Sequence, residues 1–139
     1  MKKRNGGFTL IELVLVIAIL GILAVIALPQ FINVSTQAKQ AARDGTVGAV
    51  RSGIALFRAN DLVVNGPPGN YPGTLDAAAA GSTAGPANAF FGTVLSSGIS
   101  DTSWIKGVDA VTYIFDDGSS TYTYTYIPAT GAFTSPTAP

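Results

Sequence analysis

Side chains able to perform chemistry are sparse in this 139-residue chain. Histidine and cysteine are both absent, so the commonest general base, the thiol nucleophile and the soft-metal ligands are missing. Lys39 and Lys106 are the only lysines after residue 4, and no serine, threonine or aspartate forms an evident nucleophile and base arrangement with them. This inventory predicts that the protein is not an enzyme.

Asp116 and Asp117, followed by Gly118, are the one place where two carboxylates are neighbours in the sequence. Calcium prefers roughly six to eight oxygen ligands, and two carboxylates supply too few. Asp-Asp-Gly between two segments of β-branched and aromatic residues is typical of a hairpin turn. We therefore expect a turn and no metal, with calcium at Asp116 and Asp117 as a weak alternative, and no other cofactor.

Glu12 is the most unusual ionisable residue, because it lies inside an apolar segment that runs from Phe8 to Leu28. A helix of that length spans roughly 30 Å, the thickness of the hydrocarbon core of a bilayer. A carboxylate at the centre of a membrane helix costs about 2.5–3.5 kcal/mol, so Glu12 needs an interfacial position or a partner. It is either a lone glutamate that reaches the headgroups or a glutamate with a functional partner.

The basic cluster Lys2, Lys3 and Arg4 precedes the apolar segment. By the positive-inside rule it holds this end in the cytoplasm and places the residues after Leu28 on the outer side. All eight acidic residues follow the cluster, so the rest of the chain is mildly acidic and nucleic acid is not expected as a principal partner. A cleaved secretory signal with a site near residues 24–27 is an alternative. The length of the apolar segment and its carboxylate argue against it.

The sequence Gly7-Phe8-Thr9-Leu10-Ile11-Glu12, preceded by a short basic leader, resembles the N-terminus of type IV prepilins and of the pseudopilins of type II secretion. The resemblance continues to Gln30. It implies that a prepilin peptidase cleaves between Gly7 and Phe8 and methylates the new amine of Phe8. It also implies that the Glu12 carboxylate meets the Phe8 amine, most often of a neighbouring subunit, during assembly. Two opposite charges in a medium of low dielectric constant are less costly together than apart.

Pro29 cannot donate a hydrogen bond to the carbonyl four residues earlier, so a kink or a locally melted turn is expected around Val25. Gly21, a weak helix former, adds flexibility. Apolar or small residues then recur every three or four positions, which predicts that the helix continues to about Asn60. The face expected to be packed carries Phe31, Val34, Ala38, Ala41, Gly45, Ala49, Gly53 and Phe57.

The remainder of the chain is expected to be a loop region followed by strands. Residues 61–107 are rich in Gly, Pro, Ala and Ser, with helical turns expected at 74–80 and 87–95. Residues 108–115 predict a strand, and 121–127, where Thr and Tyr alternate, predict its antiparallel partner. The tyrosines share one face of that strand and can cover the helix, while the threonines face solvent; the tyrosines are Tyr122, Tyr124 and Tyr126.

The expected fold is α+β, a long N-terminal helix packed on a small C-terminal antiparallel sheet, which is also the pilin fold that the resemblance implies. A turn at 129–131 is expected to lead into a short last strand at 132–134. The expected divisions are a leader at 1–7, a membrane-spanning and filament-core helix at 8–28, its amphipathic continuation at 29–60, the loop region at 61–107, and a hairpin with a tail at 108–139.

The resemblance implies a structural subunit of a type IV pilus, polymerised through its helix for adhesion, motility or DNA uptake. Its partners would be copies of itself in a helical filament, the prepilin peptidase, the inner-membrane assembly machinery and minor pilins. The precursor would lie in the inner membrane and the mature protein in an extracellular pilus. The alternative is a pseudopilin of a type II secretion system, in a periplasmic filament. The chain has neither the disulfide of many major pilins nor a clear acidic calcium loop of major pseudopilins, so the subclass stays open.

Overall fold

The computed structural model describes residues 7–135. The strands form one antiparallel sheet in the order β1-β2-β3-β4, so each strand pairs with the next one in the chain. A long helix followed by this sheet is the α+β fold expected from the sequence, and that prediction is confirmed. The elements are α1 at Leu10–Asn65, β1 at Trp104–Lys106, β2 at Thr112–Asp116, β3 at Thr121–Ile127 and β4 at Ala132–Thr134.

The chain divides into two compact units, with the boundary between Gln37 and Ala38. The first unit contains the N-terminal part of α1, and every residue from 7 to 35 is exposed. The second unit, which we call the head (residues 38–135), contains the rest of α1, the long loop and the sheet. The buried hydrophobic residues described by the structure all belong to the head.

The core of the head is built from the sheet, the preceding loop and one face of α1. Val47, Val50 and Ile54 follow one another at helical spacing and are the buried residues of α1. Most neighbouring rings in the core meet edge to face, the arrangement that aromatic quadrupoles favour. The aromatic members of the core are Phe90, Phe91, Trp104, Tyr113, Phe115, Tyr124, Tyr126 and Phe133.

The alternation predicted for β3 is present. Tyr124 and Tyr126 are buried and Tyr122 is half-buried, on the face that α1 covers: the Arg43 guanidinium lies 4.2 Å from the centre of the Tyr122 ring. On the other face Thr121 is exposed, whereas the two threonines after it are half-buried. Thr125 lies between Thr112 of β2 and Thr134 of β4, and Thr123 pairs with Ile114 of β2, so neighbouring strands reduce the contact of both with solvent.

The face of α1 that enters the core differs from the one expected. Of the residues predicted to be packed, Gly53 and Phe57 are half-buried, and the others are exposed. Val47, Val50 and Ile54 are buried instead, because branched aliphatic side chains remove more apolar surface from water than Ala or Gly does. The exposed members of the predicted face are Phe31, Val34, Ala38, Ala41, Gly45 and Ala49.

The helix also ends one turn later than predicted, at Asn65 rather than about Asn60. Asp61 accepts hydrogen bonds from the side chain of Asn65 and from the backbone N–H of Asn70, both at 2.7 Å, and so joins the last turn to the following loop. Gly66 then adopts a positive φ of 84° and its N–H donates to the Leu62 carbonyl, which is the usual glycine stop of a helix.

The region expected to be loop, 61–107, therefore contains the end of α1 and all of β1. Within the predicted turn at 87–95 the Leu95 N–H donates to the Phe91 carbonyl at 2.9 Å, which forms one helical turn, whereas 74–80 forms none. In addition, Thr93 N–H donates to the Leu75 carbonyl, and Phe90 pairs with Ile99 as an isolated bridge. The first strand of the predicted hairpin begins at Thr112 and not at 108. The reason is that Asp109 accepts hydrogen bonds from the backbone N–H groups of Val111 and Thr112 and holds this segment in a turn.

α1 is helical without interruption through Gly21 and Pro29. The melted turn expected around Val25 is therefore absent from the structure, since the other hydrogen bonds of a 56-residue helix hold the turn that Pro29 weakens. That this point bends or loosens when the chain changes surroundings stays a prediction.

Candidate functional site

Glu12 lies in the first turn of α1, where it and Thr9 exchange hydrogen bonds. One carboxylate oxygen, Oε2, accepts the Thr9 backbone N–H at 2.9 Å and the Thr9 hydroxyl at 2.7 Å. In return the Glu12 N–H lies 3.3 Å from Thr9 Oγ1. Thr9 is thus the N-cap and Glu12 the third helical residue of a capping box. Thr9 was not singled out from the sequence, although Thr-x-x-Glu before an apolar run is a known signal for this cap.

Gly7 and Phe8 lie just before the helix, outside regular structure, and both are exposed. Phe8 is 87% exposed, so the predicted cleavage position is on the surface of the described chain. Phe8 directly precedes Thr9, which places an amine created at Phe8 at the same helix end as the Glu12 carboxylate. Gly21 and Pro29, the predicted kink positions, are exposed within α1.

The N-terminal part of α1 presents an apolar surface on all sides. The helix is long and apolar enough to cross a bilayer, and none of its most apolar stretch is buried in the protein. Val14, the least exposed of its large hydrophobic side chains, is still 45% exposed. A surface of this kind needs lipid or other apolar helices around it, because isolated in water it would associate without specificity.

The turn between β2 and β3 is built around Asp117. Oδ1 accepts the N–H of Ser119 at 2.8 Å and of Ser120 at 2.7 Å, and Oδ2 accepts the side-chain amide of Gln40 at 2.9 Å. These donors, Gln40 first, hold the pKa of the Asp117 carboxyl well below its ordinary value. Both oxygens therefore already serve the fold. Within residues 7–135 no group of three or more acidic, histidine or cysteine side chains is placed to bind a metal.

The head contains a buried polar cluster that the sequence did not reveal, formed by Asp76, Lys106 and Tyr113. Lys106 Nζ lies 2.9 Å from Asp76 Oδ1 and 2.7 Å from the Tyr113 hydroxyl oxygen. The Tyr113 hydroxyl donates to Asp76 Oδ2 at 2.8 Å and closes a ring of three hydrogen bonds. Burial, together with this bond, raises the pKa of Tyr113. No periodicity could have predicted it, because the three residues are on a loop and two strands.

Comparison with protein families gives a match to the prokaryotic N-terminal methylation motif over residues 2–28. The matched segment contains Gly7, Phe8 and Glu12 and most of the exposed apolar helix. The recognition of a prepilin-type N-terminus is confirmed by this match.

The chain is also similar to curated proteins of two kinds. It is 55% identical over 53 residues, 38% of this chain and 46% of the relative, to the type IV narrow pilus major component PilA5 of Thermus thermophilus. It is 59% identical over 39 residues, 28% of this chain and 18% of the relative, to the type IV major pilin protein PilA of Myxococcus xanthus. It is 32% identical over 73 residues, 52% of this chain and 46% of the relative, to the type II secretion system core protein G of Pseudomonas aeruginosa.

The chain thus matches less than half the length of each of these three relatives. Among solved structures no match is found.

Proposed function

We propose that this chain is a prepilin whose mature form polymerises through α1 into a type IV pilus. A prepilin peptidase cleaves between Gly7 and Phe8, and the new amine of Phe8 is methylated. The mature chain waits in the inner membrane with α1 in the bilayer, and then enters an extracellular filament of identical subunits with the help of the assembly machinery and minor pilins. Its role is structural, as the names of the relatives support.

One observation carries this proposal: an N-terminal methylation motif leads directly into a helix whose apolar side chains have no cover within the chain. A simple membrane anchor would need the apolar segment but not the cleavage motif. A cleaved secretory signal would discard the segment instead of keeping it. Cleavage before Phe8 retains the whole apolar helix, which serves first against lipid and afterwards against other helices.

The Glu12 carboxylate is the second element of the proposal. In the isolated chain Thr9 satisfies it, so the chain enters the bilayer without a bare carboxylate. In the filament the Phe8 amine of a neighbouring subunit takes its place as the partner of the charge. An ammonium and a carboxylate in an apolar filament core are each costly when alone. A subunit whose two charges find no partner is therefore disfavoured, and this selects the axial offset between neighbouring subunits at which the charges meet. Gly21 and Pro29 are the positions where the helix loosens during this transfer.

A pseudopilin of a type II secretion system is the second candidate, and the similarity to core protein G favours it. The exposed threonines of the sheet, Thr121 and Thr134, and the Ser, Thr and Pro content of the sequence near the C-terminus suit a displayed surface, which favours the pilus. The two candidates differ in the location of the filament, which is outside the cell for a pilus and in the periplasm for a pseudopilus. Filaments that shear from intact cells support the pilus, whereas loss of secretion of folded proteins in a deletion strain, without surface filaments, supports the pseudopilus.

The decisive experiment is to identify the N-terminal residue of the mature protein by mass spectrometry, in protein from sheared filaments and in protein from membranes. We expect N-methyl-Phe8 in both fractions. A Gly7→Leu variant is the matched test, because it blocks the cleavage site without touching the helix, and it should accumulate in the membrane as the precursor. A mature start near residue 28, or an uncut chain in wild-type cells, would refute the proposal.

A further inference from the structure

The polar cluster of Asp76, Lys106 and Tyr113 has a geometry that permits more than an ion pair. The lysine nitrogen is within hydrogen-bond distance of one oxygen of the carboxyl group, and the two side chains are 1% and 2% exposed. Asp76 comes from the long loop and Lys106 from β1, so the pair joins segments that are 30 residues apart in the chain. Nothing else in the proposed function uses these residues.

The surroundings of the pair are apolar and aromatic. Lys106 Nζ lies 3.9 Å from the centre of the Tyr113 ring, and the Phe91 ring packs on Tyr113 with centroids 4.5 Å apart. Phe90 meets Tyr113 from another side, at 6.0 Å. Burial of both side chains keeps water away from the pair, so only the groups that contact it can exchange protons with it. The neutral pair is the form able to react.

Tyr113 offers the path for the proton. Its hydroxyl oxygen accepts a hydrogen bond from Lys106 Nζ and its hydroxyl proton points at Asp76 Oδ2. A proton can therefore pass from the ammonium to Tyr113 while the phenolic proton passes to the carboxylate. Tyr113 does not ionise in this exchange, which agrees with the raised pKa that burial gives it. The products are a neutral amine and a carboxylic acid at the positions of the ion pair, in which Nζ and Oδ1 lie 2.9 Å apart.

Two backbone groups polarise the same carboxyl group. Ala78 N–H donates to Oδ1 at 3.1 Å and Phe91 N–H donates to Oδ2 at 3.2 Å. Donors fixed on both oxygens stabilise negative charge that develops when a nucleophile adds to Cγ. The amine has to move only from the edge of the carboxyl group to its face. Reactants held in contact in this manner gain the large effective concentration of an intramolecular reaction.

We propose that Asp76 and Lys106 become joined by an amide bond between Cγ and Nζ after the head has folded. Nζ adds its lone pair to Cγ, and the Oδ1 oxyanion of the tetrahedral intermediate is held by the Ala78 N–H. The C–Oδ2 bond then breaks, and Oδ2 leaves as water with a proton that Tyr113 relays from Nζ. One C–N bond forms, one C–O bond breaks, one water molecule is released, and no oxidant or reductant is needed.

The cross-link would tie the long loop to the first strand of the sheet. The chain has no cysteine and so no disulfide to close this loop. A covalent link of residues 76 and 106 would restrict the unfolded chain in the same manner as a disulfide, and would add resistance to pulling along the chain. It does not depend on whether the subunit belongs to a pilus or a pseudopilus.

The test is a tryptic map of the full-length protein, purified in detergent and denatured before digestion. No Lys or Arg lies between Arg58 and Lys106 or after Lys106, so an unlinked chain yields 59–106 and 107–139 as separate peptides. A cross-linked Lys106 cannot be cleaved. We expect most of the protein to give one peptide, 59–139, with a mass lower by one water molecule. Further digestion with chymotrypsin should leave two fragments joined through Asp76 and Lys106.

Three variants complete the test. Lys106→Arg keeps the positive charge but cannot form the amide, and should lose the water deficit. Lys39→Arg is the matched control on an exposed lysine and should keep it. Tyr113→Phe keeps the ring but removes the proton relay, and should slow formation of the cross-link at least about tenfold, the effect of a lost general acid–base group, which is measured by the cross-linked fraction soon after synthesis. The fluorescence of Trp104, the chain's one tryptophan, checks that each head is folded.

The wild-type map decides the matter even if a variant does not fold. Separate peptides at their unmodified masses would overturn the proposal. A water deficit with normal cleavage after Lys106 would also overturn it, because the dehydration would then be elsewhere, for example in a cyclic imide. A folded Tyr113→Phe variant that is fully cross-linked soon after synthesis would overturn the relay.

Discussion

The Thr9 hydroxyl and the Glu12 carboxylate lie 2.7 Å apart and satisfy each other at the start of α1. The charge that distinguishes this helix from an ordinary membrane anchor is thus given an internal partner before any other subunit is present. Under the proposed function, this partner inside the chain makes membrane insertion tolerable, and an ammonium group replaces it during assembly because a charged donor binds a carboxylate more strongly than a neutral one.

Glu12→Gln separates the charge of this residue from its role in the cap, because an amide oxygen can still accept the bonds from Thr9. We expect Glu12→Gln and Glu12→Ala to insert and to be cleaved normally, yet to give at least about tenfold fewer sheared filaments. The reason is that the Phe8 ammonium is left without its partner, which costs about 3–5 kcal/mol for a buried pair. Thr9→Ser preserves the hydroxyl and is the control. Normal filament yield from Glu12→Ala would remove the assembly role of the carboxylate.

Gly53 lies where α1 and the long loop are in close contact. A Cβ atom at this position would overlap the carbonyl oxygen of Val94. Gly53→Ala should therefore destabilise the head by about 1–3 kcal/mol through overpacking, in spite of its better helix propensity. Gly48→Ala is the control in open space on the same helix and should stabilise it by up to about 1 kcal/mol. Thermal unfolding in detergent, followed by Trp104 fluorescence, measures both; equal effects would contradict the contact.

Gly131 ends the turn between β3 and β4 with a φ of 70°. A Cβ atom there would overlap the ring of Tyr71, which cannot move freely because Arg58 hydrogen-bonds its hydroxyl and lies 4.7 Å above its ring. Gly131→Ala should lower the unfolding free energy by about 2 kcal/mol or more, the sum of left-handed strain and overlap. Gly73→Ala meets no neighbour within 4 Å and should change it little. Denaturant unfolding of the two variants side by side is the measurement, and a tolerant Gly131→Ala variant would count against the predicted overlap.

Asp117 should make the head sensitive to acid. Its pKa is lowered in the folded protein, chiefly by Gln40, whereas an unfolded aspartate titrates near about 3.9. A lowered folded pKa means that the stabilisation is fully present above the unfolded pKa and is lost as the pH falls through the folded one. Unfolding temperatures should therefore decline between about pH 5 and pH 2, and Asp117→Asn should flatten that decline. Asp101→Asn, which removes a carboxylate that accepts the Ser103 N–H, is the control. An unchanged pH profile in Asp117→Asn would show that this turn does not titrate in that range.

The sequence was sufficient wherever a short pattern determines the structure. The apolar run, the alternating tyrosines of β3 and the Asp-Asp-Gly turn each depend on neighbouring residues, and each appears in the structure. It was insufficient where distant residues decide. The buried face of α1 depends on the sheet that covers it, and β1 is a strand because its three residues pair with residues 113–115 of β2.

The cluster of Asp76, Lys106 and Tyr113 illustrates the same limit at the level of a site. Each residue alone is ordinary in the sequence, where Lys106 is one of the two lysines after residue 4. Only the packing of the long loop on the sheet makes the three neighbours. Thr9 is the opposite case, because its signal is local and could have been recognised.

The exposed part of α1 contributes no residue to the core of the head, whose first buried side chain is Val47. Under the proposed function, transfer from the bilayer to the fibre replaces one apolar environment of the helix by another, and the fold of the head does not change. A subunit that leaves the fibre then returns to the bilayer ready for another round. Under the proposed function, a fibre that is taken apart returns intact subunits to the bilayer, and regrowth from those subunits needs no new protein synthesis.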